Sequence, residues 1–112
     1  MSRIERVQEL IRREIATVLL QKMDRSRFGF ISITEVKTSK NLKTARVYYS
    51  QIGSEEDKKR THRHLIAAAG YIKGEVGKNI QLRSMPNLLF FYDEKLDKAT
   101  ELVNKINKLK HD

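Results

Sequence analysis

Residues 65–92 constrain this chain more tightly than any other stretch. Leu65, Ala69, Ile72 and Val76 keep a spacing of three or four residues, so one apolar helical face runs straight through Gly70. A glycine inside a helix costs about 1 kcal/mol relative to alanine. The expected outcome is a kink at Ala68-Ala69-Gly70 that joins two helical segments, rather than a clean stop. Gly77 stands where a C-cap residue would, Pro86 follows, and Leu88-Leu89-Phe90-Phe91-Tyr92 then reads as a strand. The rest of the chain must pack against this unit.

Upstream, Ile4, Val7, Leu10, Ile11, Ile15, Val18 and Leu19 follow helical periodicity. Ser2 is an N-cap with Glu5 three residues later, as in a capping box. Arg6, Arg12 and Arg13 fall off that face, toward water, and residues 24–29 read as a loop. Residues 30–37 are strand-like, with Ile31 and Ile33 on one face, but Glu35 takes the parity an apolar residue should hold and Val36 falls opposite. Either a bulge or cover on both faces reconciles this. After the turn Thr38-Ser39-Lys40-Asn41, a second strand alternates, with Ala45, Val47 and Tyr49 on one side and Arg46, Tyr48 and Ser50 on the other, completing a hairpin.

Gly53-Ser54-Glu55-Glu56-Asp57 opens the next helix, its three acids facing the positive end of the helix dipole. The consecutive apolar residues of 88–92 imply cover on both faces of that strand. One cover is the helical layer. The other could be a last helix over 95–110, where Leu96, Ala99, Leu102, Val103, Ile106 and Leu109 form one stripe, though the sequence does not fix whether that helix covers the sheet. No repeat or linker divides residues 1–112, which read as a single domain. The order is α-β-β-α-kink-α-β with a C-terminal helix. A helical return from the second strand to the third favours parallel pairing and a right-handed crossover. The expected fold class is α+β, a three-stranded mixed sheet with helices largely on one side, as in a type II KH-like domain.

With no cysteine there is neither a disulfide framework nor a thiol nucleophile. No stretch has the eighteen or so apolar residues of a membrane span, and the charged start Met1-Ser2-Arg3-Ile4-Glu5-Arg6 lacks a signal-peptide core, so a soluble cytoplasmic protein is expected. The net charge is +9, and its excess lies in the first 87 residues; residues 88–112 carry as many acids as bases. Such a surface favours polyanions. Charge alone does not separate RNA, DNA and an anionic membrane.

Few residues suggest chemistry. Gly74-Glu75-Val76-Gly77 matches the Gly-x-x-G clamp of KH domains, but Val76 belongs to the apolar stripe and Glu75 would repel phosphate. Gly70 and Gly74 are instead expected to permit close helix packing, with Gly77 as the cap. His62 and His64 are two apart and point to different sides of a helix, which argues against a shared metal. No catalytic constellation or P-loop is present, so neither enzyme nor cofactor is indicated. Arg46 and Tyr48 share a strand face where a cation beside an aromatic could hold a phosphate and stack a base; an ordinary exposed sheet face is the alternative. Lys73, Lys78 and Arg83 flank the second helical segment and its exit, and Lys37, Lys40 and Lys43 cluster at the hairpin tip. These two groups with Arg6, Arg12 and Arg13 are the candidate positioning contacts to nucleic acid. Leu89, Phe90, Phe91 and Tyr92 are assigned to the core rather than to stacking.

The chain resembles the ribosome-binding factor A family over nearly its whole length. The resemblance is carried by Arg6-Val7, residues 33–36, Ser39, Asn41-Leu42, Ala45, Val47-Tyr48, Ala68-Ala69-Gly70, Tyr71-Ile72-Lys73, Gly77-Lys78, Leu82-Arg83, Pro86 and residues 88–93. The family's Ser-Pro-Asp-Leu turn is Ser39-Lys40-Asn41-Leu42 here, which loses an acid and a proline and gains a cation. Lys73 stands where an arginine is usual, weakening any bidentate phosphate contact. The resemblance implies a KH-like fold with the Gly-x-x-G clamp replaced by an Ala-x-Gly kink. It also implies a monomer that binds the free 30S subunit and its 16S rRNA during late maturation and rRNA processing. A role in cold adaptation, a functional link to ribosome-assembly GTPases, and no catalytic activity or cofactor follow from it too. Two other readings remain: a KH-like adaptor whose main partner is a protein such as a translation GTPase or stress factor, and a DNA-architectural protein, for which a recognition helix and dimerisation stripe are missing.

Overall fold

The computed structural model describes residues 1–23 and 30–95; the loop expected at 24–29 and all but the first residue of the helix expected at 95–110 lie outside them. The elements run α1 (Arg3–Gln21), β1 (Ile31–Thr38), β2 (Thr44–Gln51), α2 (Glu55–Asn79) and β3 (Asn87–Tyr92). The three strands form one sheet in the order β1-β2-β3, with β1 antiparallel and β3 parallel to β2. The mixed sheet expected from the helical return is present.

Ser2 caps α1, its hydroxyl accepting from the Glu5 amide at 3.1 Å. Ile11, Ile15 and Val18 are buried, Val7, Ala16 and Leu19 pack beside them, and Ile4 and Leu10 stay exposed. In β1 the bulge resolves the parity conflict. Ile33 pairs with Tyr49 and Glu35 with Tyr48, so Thr34 is the extra residue. The shift returns Val36 to the inner face opposite Val47 and turns Glu35 outward.

The two expected helical segments are one element. α2 runs for 25 residues through Ala68, Ala69 and Gly70 without interruption. Thr61, Leu65, Ile72 and Val76 are all buried along one of its faces. Burying each of those three aliphatic side chains contributes about 1.5–3 kcal/mol, which exceeds the glycine cost of about 1 kcal/mol. Gly70 and Gly74 do not mediate close packing, since a Cβ at either would meet nothing within 4 Å. Gly77 is not the cap. It lies inside the helix, which ends at Asn79 with Ile80 extended, and a Cβ there would sit 3.0 Å from Met85 Cγ. Its bareness admits the connection to β3. At the other end Ser54 and Asp57 form a full capping box, the Ser54 hydroxyl accepting from the Asp57 amide at 3.1 Å and the Asp57 carboxylate from the Ser54 amide at 3.3 Å. Those hydrogen bonds, ahead of the nearby Arg60, hold the Asp57 carboxyl below its usual range.

Both helices cover the same face of the sheet. Ile33, Val36, Ala45, Val47, Tyr49, Leu88 and Phe90 supply the sheet's half of the core. Tyr49 is fully buried, its ring edge-on to Tyr92 at 5.6 Å and its hydroxyl 2.9 Å from His62 Nδ1; burial pushes its phenol up to about 12. β3 alternates, contrary to the two-sided cover read from its sequence: Leu88 and Phe90 face the helices, while Leu89 and Phe91 remain 44% and 43% exposed on the opposite face.

Stability measurements test this packing and its caps. Gly70→Ala should raise the urea midpoint, corresponding to a gain of about 0.5–1 kcal/mol in unfolding free energy, because the site is open and helical; a glycine-dependent kink would reverse the sign. Ser54→Ala should cost about 1 kcal/mol. Asp57→Asn should destabilise at neutral pH, where the lowered carboxyl pKa favours the folded state. That penalty should fade as an acid titration passes below pH ~4, through the folded pKa of the wild-type residue.

Candidate nucleic-acid interface

Because β2 and β3 are parallel, both start at the same end of the molecule, and the hairpin tip, the end of α2 and the connection to β3 meet there. The Asn87 amide donates to Lys43 O at 2.9 Å, and Lys73 Nζ donates to Asn87 Oδ1 at 2.9 Å. The hairpin backbone at Lys43 and the Lys73 ammonium, thirty residues apart in sequence, thereby meet at one asparagine. Lys40 and Lys43 are exposed at the tip, and Arg83 is exposed in the segment that leads to Asn87. Lys78 on the last turn of α2 pairs with Glu75 at 2.9 Å.

Local bonds hold the tip in shape. The Ser39 amide donates to Thr44 O at 2.9 Å, the Leu42 amide to Ser39 O at 3.0 Å, and Asn41 Oδ1 accepts from the Ser39 hydroxyl at 2.7 Å and the Lys43 amide at 3.0 Å. Leu42 takes the left-handed conformation, with φ of 58°. Gln8 ties α1 to the same end, its Oε1 accepting from the Thr38 amide at 3.0 Å and the Thr38 hydroxyl at 3.2 Å.

The arginines of α1 differ among themselves. Arg6 is exposed. Arg12 is half-buried rather than pointing freely to water, and its guanidinium grips Glu9 in two places, Nε to Oε2 at 2.9 Å and Nη2 to Oε1 at 2.6 Å; Arg13 adds a third contact at 3.2 Å. The hydrogen bond from Arg12 above all holds the Glu9 carboxyl down to about 2. Both partners are largely occupied with each other. The neighbouring cleft of about 260 Å³ between α1 and β1, lined by Glu5, Glu9, Arg12, Glu35 and Lys37, is therefore of mixed charge.

The sheet's outer face carries two cross-strand rows. In the first, Lys37, Arg46 and Leu89 stand side by side; in the second, Glu35, Tyr48 and Phe91. The Tyr48 and Phe91 rings lie 5.8 Å apart at 31°. Glu35 is held by Lys37 at 3.2 Å and Lys95 at 3.6 Å. Arg46 is exposed and has no acidic partner among the described residues. Arg46 and Tyr48 thus share a face as expected. Phe91, which the sequence reading assigned to the core, joins them, and the signal for it was the parallel register that sets it beside Tyr48. The Gly-x-x-G match at residues 74–77 lies wholly within α2, with Val76 buried, so it forms no loop. His62 and His64 are half-buried, and His62 meets the Tyr49 hydroxyl.

Comparison with known proteins bears on the family and the fold. The family model for ribosome-binding factor A matches residues 3–106. The chain is 42% identical over 108 residues to ribosome-binding factor A of Dictyoglomus thermophilum, covering 96% of this chain and 90% of that protein. It is 40% identical over 108 residues to the Acetivibrio thermocellus protein of the same name, covering 96% and 88%. The fold is similar to the crystal structure of ribosome-binding factor A from Thermus thermophilus, with a TM-score of 0.72 at 20% identity over 81% of this chain and 97% of that one. It also resembles a homology model of the Thermus thermophilus protein fitted into a cryo-EM map of a 30S–RbfA complex, with a TM-score of 0.60 at 19% identity over 80% and 90% of the two chains. With a family match across almost its full length and relatives near two-fifths identity, the chain belongs to the ribosome-binding factor A family.

Proposed function

We propose that this protein is a ribosome assembly factor that docks on the immature 30S subunit through 16S rRNA phosphates during late maturation and rRNA processing. The observation that carries this reading is the junction at Asn87, which ties the Lys43 backbone to the Lys73 ammonium at the end where the exposed Lys40 and Arg83 also lie in sequence, in a chain of net charge +9. A relative's fit into a 30S complex supports the choice of ribosomal partner. The chain acts as a single domain over residues 1–112, a cytoplasmic monomer without catalysis or cofactor. Arg6, Arg12, Arg13, Lys37, Lys78, Arg46 and Tyr48 complete its contacts. A link to ribosome-assembly GTPases belongs to the same reading.

Such a binder works by differential affinity. If it holds one rRNA arrangement more tightly than another, it shifts the population by that difference and no more. Cold slows the escape of mispaired RNA, so the help matters most there. A strain lacking the protein should accumulate immature small subunits at low temperature; normal subunit profiles in the cold would remove that part of the proposal.

Salt dependence separates rRNA binding from a protein-adaptor role. The protein should sediment with free 30S particles and not with 50S. The log–log slope of its affinity for 16S rRNA segments should steepen by about 0.7 for each phosphate contacted on single strands. Lys40→Ala, Lys43→Ala and Arg83→Ala together should flatten that slope by about 2, with little change in thermal stability, since all three side chains are exposed. Salt-insensitive binding would point to a protein partner instead.

A further inference from the structure

We propose that the outer face of the sheet is a stacking platform for unpaired bases of single-stranded RNA, with Tyr48 and Phe91 as the rings and Arg46 as the phosphate contact. This rests on the reading above that the polyanion is RNA. Three observations converge on it. First, helices cover only one face of the sheet among the described residues, and the other leaves Phe91 and Leu89 nearly half exposed. Second, Tyr48 and Phe91 come from adjacent strands with their rings 5.8 Å apart, which makes a two-ring surface rather than an isolated aromatic. Third, the charges on this face suit a nucleic-acid strand. Glu35 is neutralised by Lys37 and Lys95, whereas Arg46 is exposed without an acidic partner among the described residues.

The order of these groups along the sheet matters. Lys40 and Lys43 lie at the hairpin tip, Lys37 and Arg46 in the next outward-facing row, and Tyr48 and Phe91 one row further. Arg46 and Tyr48 are two residues apart on one strand, about 7 Å along the same face. A strand arriving at the basic end would meet phosphate contacts first and rings second. Stacking on aromatics is tolerant of sequence because every base has a π-face, and paired bases have none free to offer. An apolar partner laid over the same rows would have to strip water from the Arg46 guanidinium, which a phosphate can satisfy instead.

The test compares a labelled, unstructured adenine-rich 12-mer RNA with an RNA duplex of equal phosphate number, using the full chain. Tyr48→Leu and Phe91→Leu should each weaken single-strand binding by roughly five- to a hundredfold, with the salt slope and duplex binding unchanged. Tyr48→Phe, which keeps the ring, should bind like wild type. Arg46→Ala should instead flatten the salt slope by about 0.7. Unchanged melting of each variant guards against loss of fold. If the leucine variants bind the single strand within twofold of wild type, or weaken the duplex equally, the platform is wrong while phosphate binding stands. If wild type binds neither RNA, the rRNA reading falls with it. Leu102→Glu with Ile106→Glu should leave affinity unchanged; a tenfold rise, with the leucine variants silent in the parent chain, would assign this face to residues 96–112 and overturn the proposal.

Discussion

Parallel pairing of β2 with β3 is the constraint on which the other features depend. Two parallel neighbours cannot be joined by a tight turn, so the chain must cross over, and here α2 makes that crossing. The crossing helix needs an apolar face to hold it down, which Leu65, Ile72 and Val76 provide as members of the same buried cluster as Val47, Leu88 and Phe90. It also returns the chain to the end from which β2 began. Basic residues from the hairpin, the last turns of α2 and its exit segment therefore meet without any motif bringing them together in sequence. The Lys43–Asn87–Lys73 link records that meeting in two hydrogen bonds.

The bulge at Thr34 makes the second decision. A one-residue slip exchanges the two faces of a strand, and the extra residue does this within β1, keeping Ile33 inside while also bringing Val36 inside. Thr34 itself is fastened on the outer side. Its hydroxyl lies 2.7 Å from Asp93 Oδ2 and 3.3 Å from the Tyr48 carbonyl, joining the middle of β1 across β2 to the residue that follows β3. That bond, then the Lys95 amide, holds the Asp93 carboxyl below its usual range. Glu35, displaced outward, becomes the acid that occupies Lys37 and Lys95 and leaves Arg46 without an acidic partner among the described residues.

Much of this was legible in the sequence, and the misses share a cause. Helix periodicity and the hairpin follow from local spacing, the bulge is one of the two ways that spacing allows β1 to be read, and the mixed sheet follows from the helical return between β2 and β3. What did not follow was anything set by the cover available in three dimensions. Five consecutive apolar residues in β3 look the same whether one face or both are packed, so Leu89 and Phe91 were placed in a core that covers only Leu88 and Phe90. Gly70 reads as a kink in sequence even though the apolar face runs through it; the buried stripe on either side instead carries one uninterrupted helix across that position. Gly77 looked like a cap, and its bareness instead accommodates Met85 from a segment whose approach no local pattern announces. The rRNA-contact assignments rest on charge and placement, and sequence spacing alone could not show that the hairpin and α2 cations share one end.

Net charge overstates the grip that such a surface can exert. Arg12 and Arg13 are committed to Glu9, Lys78 to Glu75 and Lys37 to Glu35, and a phosphate can recruit any of them only by displacing a carboxylate. Lys40, Lys43, Arg46 and Arg83 have no such partner among the described residues. Exposed ion pairs are weak, at about 0–1 kcal/mol, so displacement is feasible; the unpaired cations nonetheless gain a phosphate with nothing given up. They lie along one path, from the α2 exit and the hairpin tip onto the open sheet face. On the proposed reading, affinity for a polyanion is organised less by how many cations the chain carries than by which of them have no acidic partner among the described residues.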